Sequence, residues 1–280
     1  MNSPTPAIAV FGTAAVVSAT GAGMELPVIR YGAEIVAMLA LSAGAALTGR
    51  HRALSLLGLL LAGAALADLA ATWMTYPNPA PTAPDGCPVA DEAVTEYWTG
   101  RLRLSQLAAA LHFGALICGI LAVSALPSRP GLHRWHRPLL VTLVSTPAVL
   151  IGLYPIYSAD DRTELLDRTT PAILTLAAAV ALTVLSMTRT AGGRARMTAL
   201  MAGGALAYVP ALFAVERVAG PIVQLQHLSP EPEPGVFMTC AYGYGTPATS
   251  PSTVALTAAG ILLVLAAPAL LVWASPRPAG

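Results

Sequence analysis

RALSLLGLLLAGAALADLAATWMTY, residues 52–76, decides the fold class of this chain. After Arg52 the stretch carries a single charged side chain, Asp68, and it is otherwise rich in Leu and Ala. A helix of about 20 mostly apolar residues is long enough to cross a bilayer. The stretch therefore predicts a transmembrane helix, and it raises the question of why a carboxylate lies within it.

The composition of the whole chain supports a membrane protein. The chain has 280 residues, of which 55% are apolar and 10% charged, and its mean hydropathy is +0.66. A soluble domain carries roughly a quarter charged residues. The net charge of +1 offers no basic excess for nucleic acid, and no zinc, phosphate-loop or dinucleotide motif is present. The fifteen basic residues are all Arg, which excludes lysine Schiff-base chemistry.

Apolar windows of spanning length predict an all-α polytopic bundle of eight transmembrane helices in one membrane domain, residues 1–280. The windows are 6–23, 31–48, 53–76, 103–126, 138–157, 171–188, 197–218 and 253–274. The first lacks the positive leader of a signal peptide and is interpreted as retained, whereas cleavage would leave seven spans. Pro27 and Pro171 fall at window ends, while Pro147 and Pro210 fall inside windows and predict kinks.

Arginines predict the orientation, because basic residues are retained on the cytoplasmic side. The connections 48–52, 128–138 and 188–196 and the tail 275–280 contain nine Arg and no acid. The acids lie in the alternate connections or in the outer halves of helices. We therefore expect a cell-membrane protein in contact with the lipid bilayer, with both termini cytoplasmic and a negative outer face.

Two predicted outer loops, 77–102 and 219–252, are long and rich in Pro and Gly. Loops of that length in a compact bundle are usually functional or disordered. They carry Cys87 and Cys240, and an oxidising outer compartment permits a disulfide between them. Two free thiols are the alternative, since pairing does not follow from sequence.

Asp68 lies about sixteen residues beyond the basic segment that ends at Arg52, which places it in the outer third of the bilayer. A charge at such depth costs on the order of 2–3 kcal/mol, so we expect it to face the bundle interior. Trp73 and Tyr76 lie nearby along the same helix. Asp68 is either a functional group or a hydrogen-bonded residue that joins helices.

Three further polar residues are predicted in the outer half of the bundle. Glu34 lies about one turn below the outer start of its predicted helix, where a side chain can reach water. Glu216 closes the seventh window. His112 is the only histidine within a predicted span, so a haem held by two facing histidines is not expected. Together with Asp68 these residues predict a polar pocket under the long loops, with His112 at the height of Asp68; structural hydrogen bonds between helices are the alternative.

Sulfur and imidazole groups suggest copper as one possible ligand. Met24, Met74, Met238 and His227 map to the outer rim, and thioether, thiol and imidazole ligands suit Cu(I). Cys240 belongs to the same group but is unavailable as a thiolate if it is bridged to Cys87.

Residues 21–47, GAGMELPVIRYGAEIVAMLALSAGAAL, resemble the copper-resistance protein D family of multispanning bacterial membrane proteins. The shared pattern is a first helix, a short outer loop with Pro, and a second helix carrying Arg, an acid and small residues. The resemblance implies a role in copper handling at the inner membrane. The fifth window differs from the family in having no histidine.

Three functions remain open at this point. The first is handling of a small solute or metal ion, with Asp68, His112 and Glu34 as ligand or proton groups. The second is a membrane-embedded enzyme for a lipid or isoprenoid substrate, with Asp68 as general acid and Trp73 and Tyr76 stabilising a developing cation. The third is a non-catalytic subunit with a partner in a membrane complex.

Overall fold

The computed structural model describes residues 5–75, 92–128, 162–211 and 251–276. These residues form helices and no strand, apart from one isolated bridge between Ser128 and Arg189. The helices are α1 Thr5–Gly23, α2 Pro27–Leu47, α3 Arg52–Trp73, α4 Glu92–Ser124, α5 Arg162–Thr188, α6 Arg194–Leu206 and α7 Pro251–Ala274. A further helical turn, 208–211, follows α6 after a break at Ala207.

Five of the described helices are long and apolar enough to cross a membrane. These spans are Pro6–Gly23, Pro27–Leu47, Arg52–Trp73, Thr99–Ser124 and Val254–Ala274. They confirm that the chain is a multi-pass helical membrane protein, and they coincide with five predicted windows. The apolar part of α5, Ile173–Thr188, is shorter. The window 138–157 lies outside the described residues, so the count of eight remains a prediction.

The described helices form a closed ring. Each packs against the next in chain order, α7 packs against α1, and α7 also touches α2 and α3 across the ring. Met38, Leu54, Leu182 and Leu271 are fully buried between them. Lipid tails are as apolar as these side chains, so close packing rather than escape from water holds such helices together.

Small residues let neighbouring backbones approach closely. The Ser42 hydroxyl on α2 donates to the Ser55 carbonyl of α3 over 2.8 Å. Gly58 of α3 lies so near α2 that an added Cβ would be 2.9 Å from the carbonyl oxygen of Met38. On the other side of the ring, the Thr183 hydroxyl donates to the Gly204 carbonyl over 2.6 Å. Polar pairs of this kind fix the register of helices in a bilayer, where no water competes for them.

The predicted arginine-rich connections meet at one end of the ring. The Arg50 guanidinium donates to the Ser275 carbonyl, which joins the α2–α3 corner to the end of α7. Arg189, just after α5, donates to the Leu126 carbonyl beyond the end of α4 over 2.9 Å. Cations at helix carboxyl ends also complement the negative end of the helix dipole. This grouping is what the alternating topology requires; which end faces the cytoplasm stays a prediction.

The ends of α4 and α5 also bear on the eight-span prediction. α4 and α5 finish side by side, as the eight-span prediction requires of its fourth and sixth spans, and the fifth predicted span, 138–157, lies outside the described residues. That span stays a prediction.

Several helix boundaries differ from the prediction. α2 begins at Pro27 rather than 31, with the proline at its first turn, where no intrahelical bond is lost. α4 begins at Glu92, so the end of the predicted loop 77–102 is helical. Pro171 lies within α5 and not at a helix end. Of the predicted kinks, Pro210 follows the break after α6, while Pro147 lies outside the described residues.

Candidate functional site

A narrow cavity lies at the centre of the ring. Its volume is about 40 Å³. Its wall is formed by α2, α3, α4, α5 and α7 and by the turn that follows α6. Most of the wall is aliphatic, and two ionisable side chains reach it, Glu34 from α2 and His112 from α4. Within the described residues, this is where two of the predicted polar groups meet.

The contacts between α2 and α3 set the depth of Glu34. The two helices run antiparallel, with Met38 and Ser42 facing Gly58. Glu34 lies one turn before Met38 on α2, which brings it level with about residues 62–64 of α3. Because α2 begins four residues earlier than predicted, Glu34 is about two turns inside the helix, deeper than the interfacial position expected for it.

The contacts between α3 and α4 set the depth of His112. An added Cβ at Gly63 would lie 3.4 Å from Leu111, and one at Gly114 would lie 3.3 Å from Leu60. His112 is therefore also level with about residue 62 of α3. The same register places Asp68 level with about residue 106 of α4. Asp68 is therefore roughly 9 Å from the height of His112, toward the end of the ring opposite the arginines. On this register Asp68 and His112 differ in height, whereas a common height was expected, and their proximity stays a prediction.

The imidazole of His112 is oriented by its own helix. Its Nδ1 lies 2.8 Å from the carbonyl oxygen of Ala108, one turn earlier. A carbonyl oxygen only accepts hydrogen bonds, so Nδ1 carries the proton. In the neutral ring Nε2 is then the nitrogen with a lone pair, able to accept a proton or bind a cation.

Two prolines in the cavity wall change the backbone chemistry there. Pro268 lies within α7 and has no N–H, so the carbonyl of Val264, also in the wall, lacks its usual helical donor. Pro210 follows the break at Ala207, and both line the cavity. Helices interrupted in this way supply backbone carbonyls as ligands in membrane proteins. The sequence analysis missed Pro268, although a proline deep in the last apolar window was a visible signal.

Met38 adds a thioether to the wall. It is fully buried and lies one turn from Glu34 on α2. Methionine commonly fills gaps in helix packing, and its sulfur is also a soft metal ligand. Among the described residues, no group of three or more His, Cys, Asp and Glu side chains gathers to hold a metal ion.

The other predicted site residues that the structure describes do not line this cavity. Asp68 is half-buried on α3 but is not among the wall residues, and Trp73 is 64% exposed at the end of that helix. Met24 is 62% exposed, and Met74 packs on Gly100. The remaining predicted residues, namely Tyr76, Glu216, His227, Met238 and the pair Cys87 and Cys240, lie outside the described residues, so the disulfide and the copper-binding rim stay predictions.

The fold and cavity together define a multi-pass membrane helix bundle with an acid and an imidazole at its centre. No family model, curated protein or solved structure matches the chain. The resemblance to the copper-resistance protein D family therefore remains an expectation from residues 21–47.

Proposed function

We propose that this membrane protein handles a small cation through the central cavity, with Glu34 and His112 as its ligand or proton-carrying groups. The observation that carries the proposal is that both side chains line one cavity. An ionisable residue inside a membrane bundle is expensive and is commonly found on ion or proton pathways.

The chemistry of the wall favours a cation. Glu34 supplies carboxylate oxygens, His112 supplies a ring nitrogen, and Pro268 leaves a backbone carbonyl without its helical donor. No arginine is among the wall residues within the described part of the chain. Carboxylate oxygens, a ring nitrogen and a backbone carbonyl are all electron-pair donors, the kind of group that binds cations.

The size of the cavity limits which ligands it can hold. Its volume of about 40 Å³ holds roughly two or three water-sized groups, whereas sites for drug-sized molecules measure about 300–1,000 Å³. A proton, an alkali cation or a metal ion fits this space. Copper is one candidate, because the Met38 sulfur and the His112 nitrogen suit Cu(I).

Equilibrium binding tests the proposal. Purified protein in detergent, in a choline buffer, is titrated with Na⁺, K⁺ and Cu(I), and proton uptake is followed in parallel. We expect one saturable cation or proton site per chain. Replacing Glu34 by Gln should weaken it by at least about thirtyfold, because removing one partner of a buried charge pair costs 2 kcal/mol or more.

Two control variants make this experiment specific. Glu96→Gln removes an exposed carboxylate on α4 and should leave binding unchanged. Met38→Leu keeps the side-chain volume and should weaken binding of Cu(I) alone. Absence of any saturable site in the wild type, or equal effects of Glu34→Gln and Glu96→Gln, would refute the proposed function. A tightly bound lipid or a stoichiometric partner chain in the purified protein would instead favour the enzyme or the subunit hypothesis.

A further inference from the structure

A second concave feature lies at the arginine end of the ring, at the corner between α2 and α3. It is an open groove of about 530 Å³, far larger than the central cavity. Gly49, Arg50 and Arg52 line its basic part, and Leu56 and Leu59 line its apolar part. Within the described residues, no acidic side chain lines it.

The turn that ends α2 shapes this groove. The N–H of Gly49 donates to the Ala46 carbonyl over 3.0 Å, and that of Arg50 to the Ala45 carbonyl over 3.1 Å. This is the Schellman pattern, in which the residue after the cap is left-handed and is usually Gly. Gly49 has φ +63°, and nothing lies within 4 Å of the position of an added Cβ. The turn therefore leaves the groove open beside the two arginines.

The Arg50 side chain is held in place within this corner. Its guanidinium donates to the Ser275 carbonyl at the end of α7 and, through Nε, to the Thr48 hydroxyl over 3.2 Å. Arg52 is exposed at the first turn of α3. The groove thus combines one anchored cation with one cation that faces outward.

The groove is basic at its rim and apolar deeper along α3, just as a bilayer is polar at its surface and apolar inside. The span Pro27–Leu47 ends at this corner and the span Arg52–Trp73 begins there, so the arginines of the corner lie at a membrane boundary. Leu56 and Leu59 are 47% and 50% exposed. They lie about 6 Å and 10 Å further along α3 than Arg52, at the depth of acyl chains. A phospholipid has the same order, with a phosphate at the boundary and a hydrocarbon chain beneath it.

We propose that this groove binds an anionic phospholipid, with its phosphate between Arg52 and Arg50 and one acyl chain along Leu56 and Leu59. Basic pockets at the ends of membrane helices recognise acidic head groups through charge and hydrogen bonds. The proposal is independent of the cation chemistry of the central cavity.

Lipid titration tests the proposal. Phosphatidylglycerol or phosphatidylcholine with matched acyl chains is added to the purified full chain in detergent, and the unfolding temperature is followed. We expect phosphatidylglycerol to raise it at lower lipid concentration than phosphatidylcholine does. Arg52→Gln should weaken the apparent affinity for phosphatidylglycerol by about fivefold, the contribution of one arginine near a membrane surface.

Control variants and ligands separate this site from general charge effects. Arg194→Gln neutralises another exposed arginine, at the start of α6, and should keep the wild-type affinity. Arg52→Lys keeps the charge and should keep most of the affinity. Inorganic phosphate should not reproduce the lipid effect. Equal shifts with the two lipids, full affinity in Arg52→Gln, or the same protection by inorganic phosphate alone would each overturn the proposal.

Discussion

Glu34 of α2 and His112 of α4 lie at similar heights in the bundle, Glu34 level with about residues 62–64 of α3 and His112 with about residue 62. The Met38 and Ser42 contacts with Gly58 fix one register, and the contact of Gly63 with Leu111 fixes the other. The two registers are independent of each other, and both side chains line the central cavity. A carboxylate and an imidazole from helices that are not neighbours in the ring are thus brought to one place.

The depth of Asp68 leads to a prediction that separates it from the cavity. Asp68 lies roughly 9 Å closer than His112 to the end of the ring opposite the arginines, the position of an access group rather than of a ligand in the cavity. We expect Asp68→Asn to slow cation entry in flux measurements while leaving equilibrium binding close to that of the wild type. Loss of equilibrium binding in Asp68→Asn would place the binding site at Asp68 instead.

Pro268 is expected to supply a backbone ligand. Pro268→Ala restores an N–H that can pair with the Val264 carbonyl, so α7 should gain a hydrogen bond and the cation should lose an oxygen. Cation affinity should fall several-fold without a fall in the unfolding temperature. Pro251→Ala, at the first residue of α7, is the control and should change neither. Unchanged affinity in Pro268→Ala would remove this carbonyl from the site.

Close packing of α2 and α3 predicts a sharp contrast between two glycines. A Cβ at Gly58 would lie 2.9 Å from backbone atoms of Met38 and Ser42, so Gly58→Ala must move a helix and should destabilise the protein by about 1–3 kcal/mol. Gly32 of α2 has nothing within 4 Å of the added Cβ, and Gly32→Ala should be neutral or stabilising by up to about 1 kcal/mol. Thermal unfolding in detergent measures both. Similar unfolding temperatures for the two variants would contradict the α2–α3 packing.

The turn after α1 predicts a stabilising substitution. Glu25 has φ +56°, in the position where the turn after α2 has Gly49 at φ +63°. A left-handed conformation costs a residue with a Cβ on the order of 1 kcal/mol, so Glu25→Gly should raise stability by about that amount. Glu25→Gln, which removes the charge but keeps the Cβ, is the matched control. Equal stabilisation by Gly and Gln would assign the effect to charge instead of backbone strain.

The sequence predicted the membrane class and the alternating ends of the helices, since apolar windows and arginine placement depend on the bilayer alone. It predicted Glu34 and His112, together with Asp68 and Glu216, as members of one polar pocket, and Glu34 and His112 line one cavity. The depths of Glu34 and His112 were counted from the predicted helix starts, 31 and 103. Because α2 begins at Pro27 and α4 at Glu92, both depths were displaced.

The cavity wall required tertiary information. Met38, Val264 and Pro268 are ordinary residues of apolar helices, and only the closure of α7 against α2 and α3 brings them to Glu34. Similarly, the groove at Arg50 depends on a hydrogen bond to Ser275, far along the chain, which no local pattern indicates.

Cation flux into proteoliposomes measures directly whether the cavity lined by Glu34 and His112 carries a cation across the membrane. Wild-type protein is reconstituted at matched density with Glu34→Gln, His112→Gln and the exposed control Glu96→Gln, and uptake is recorded for the cation identified by binding. We expect uptake in the wild type and in Glu96→Gln. In each cavity variant the uptake rate should fall at least about tenfold, equivalent to about 1.4 kcal/mol. Uptake at the wild-type rate in both Glu34→Gln and His112→Gln would contradict the proposed function.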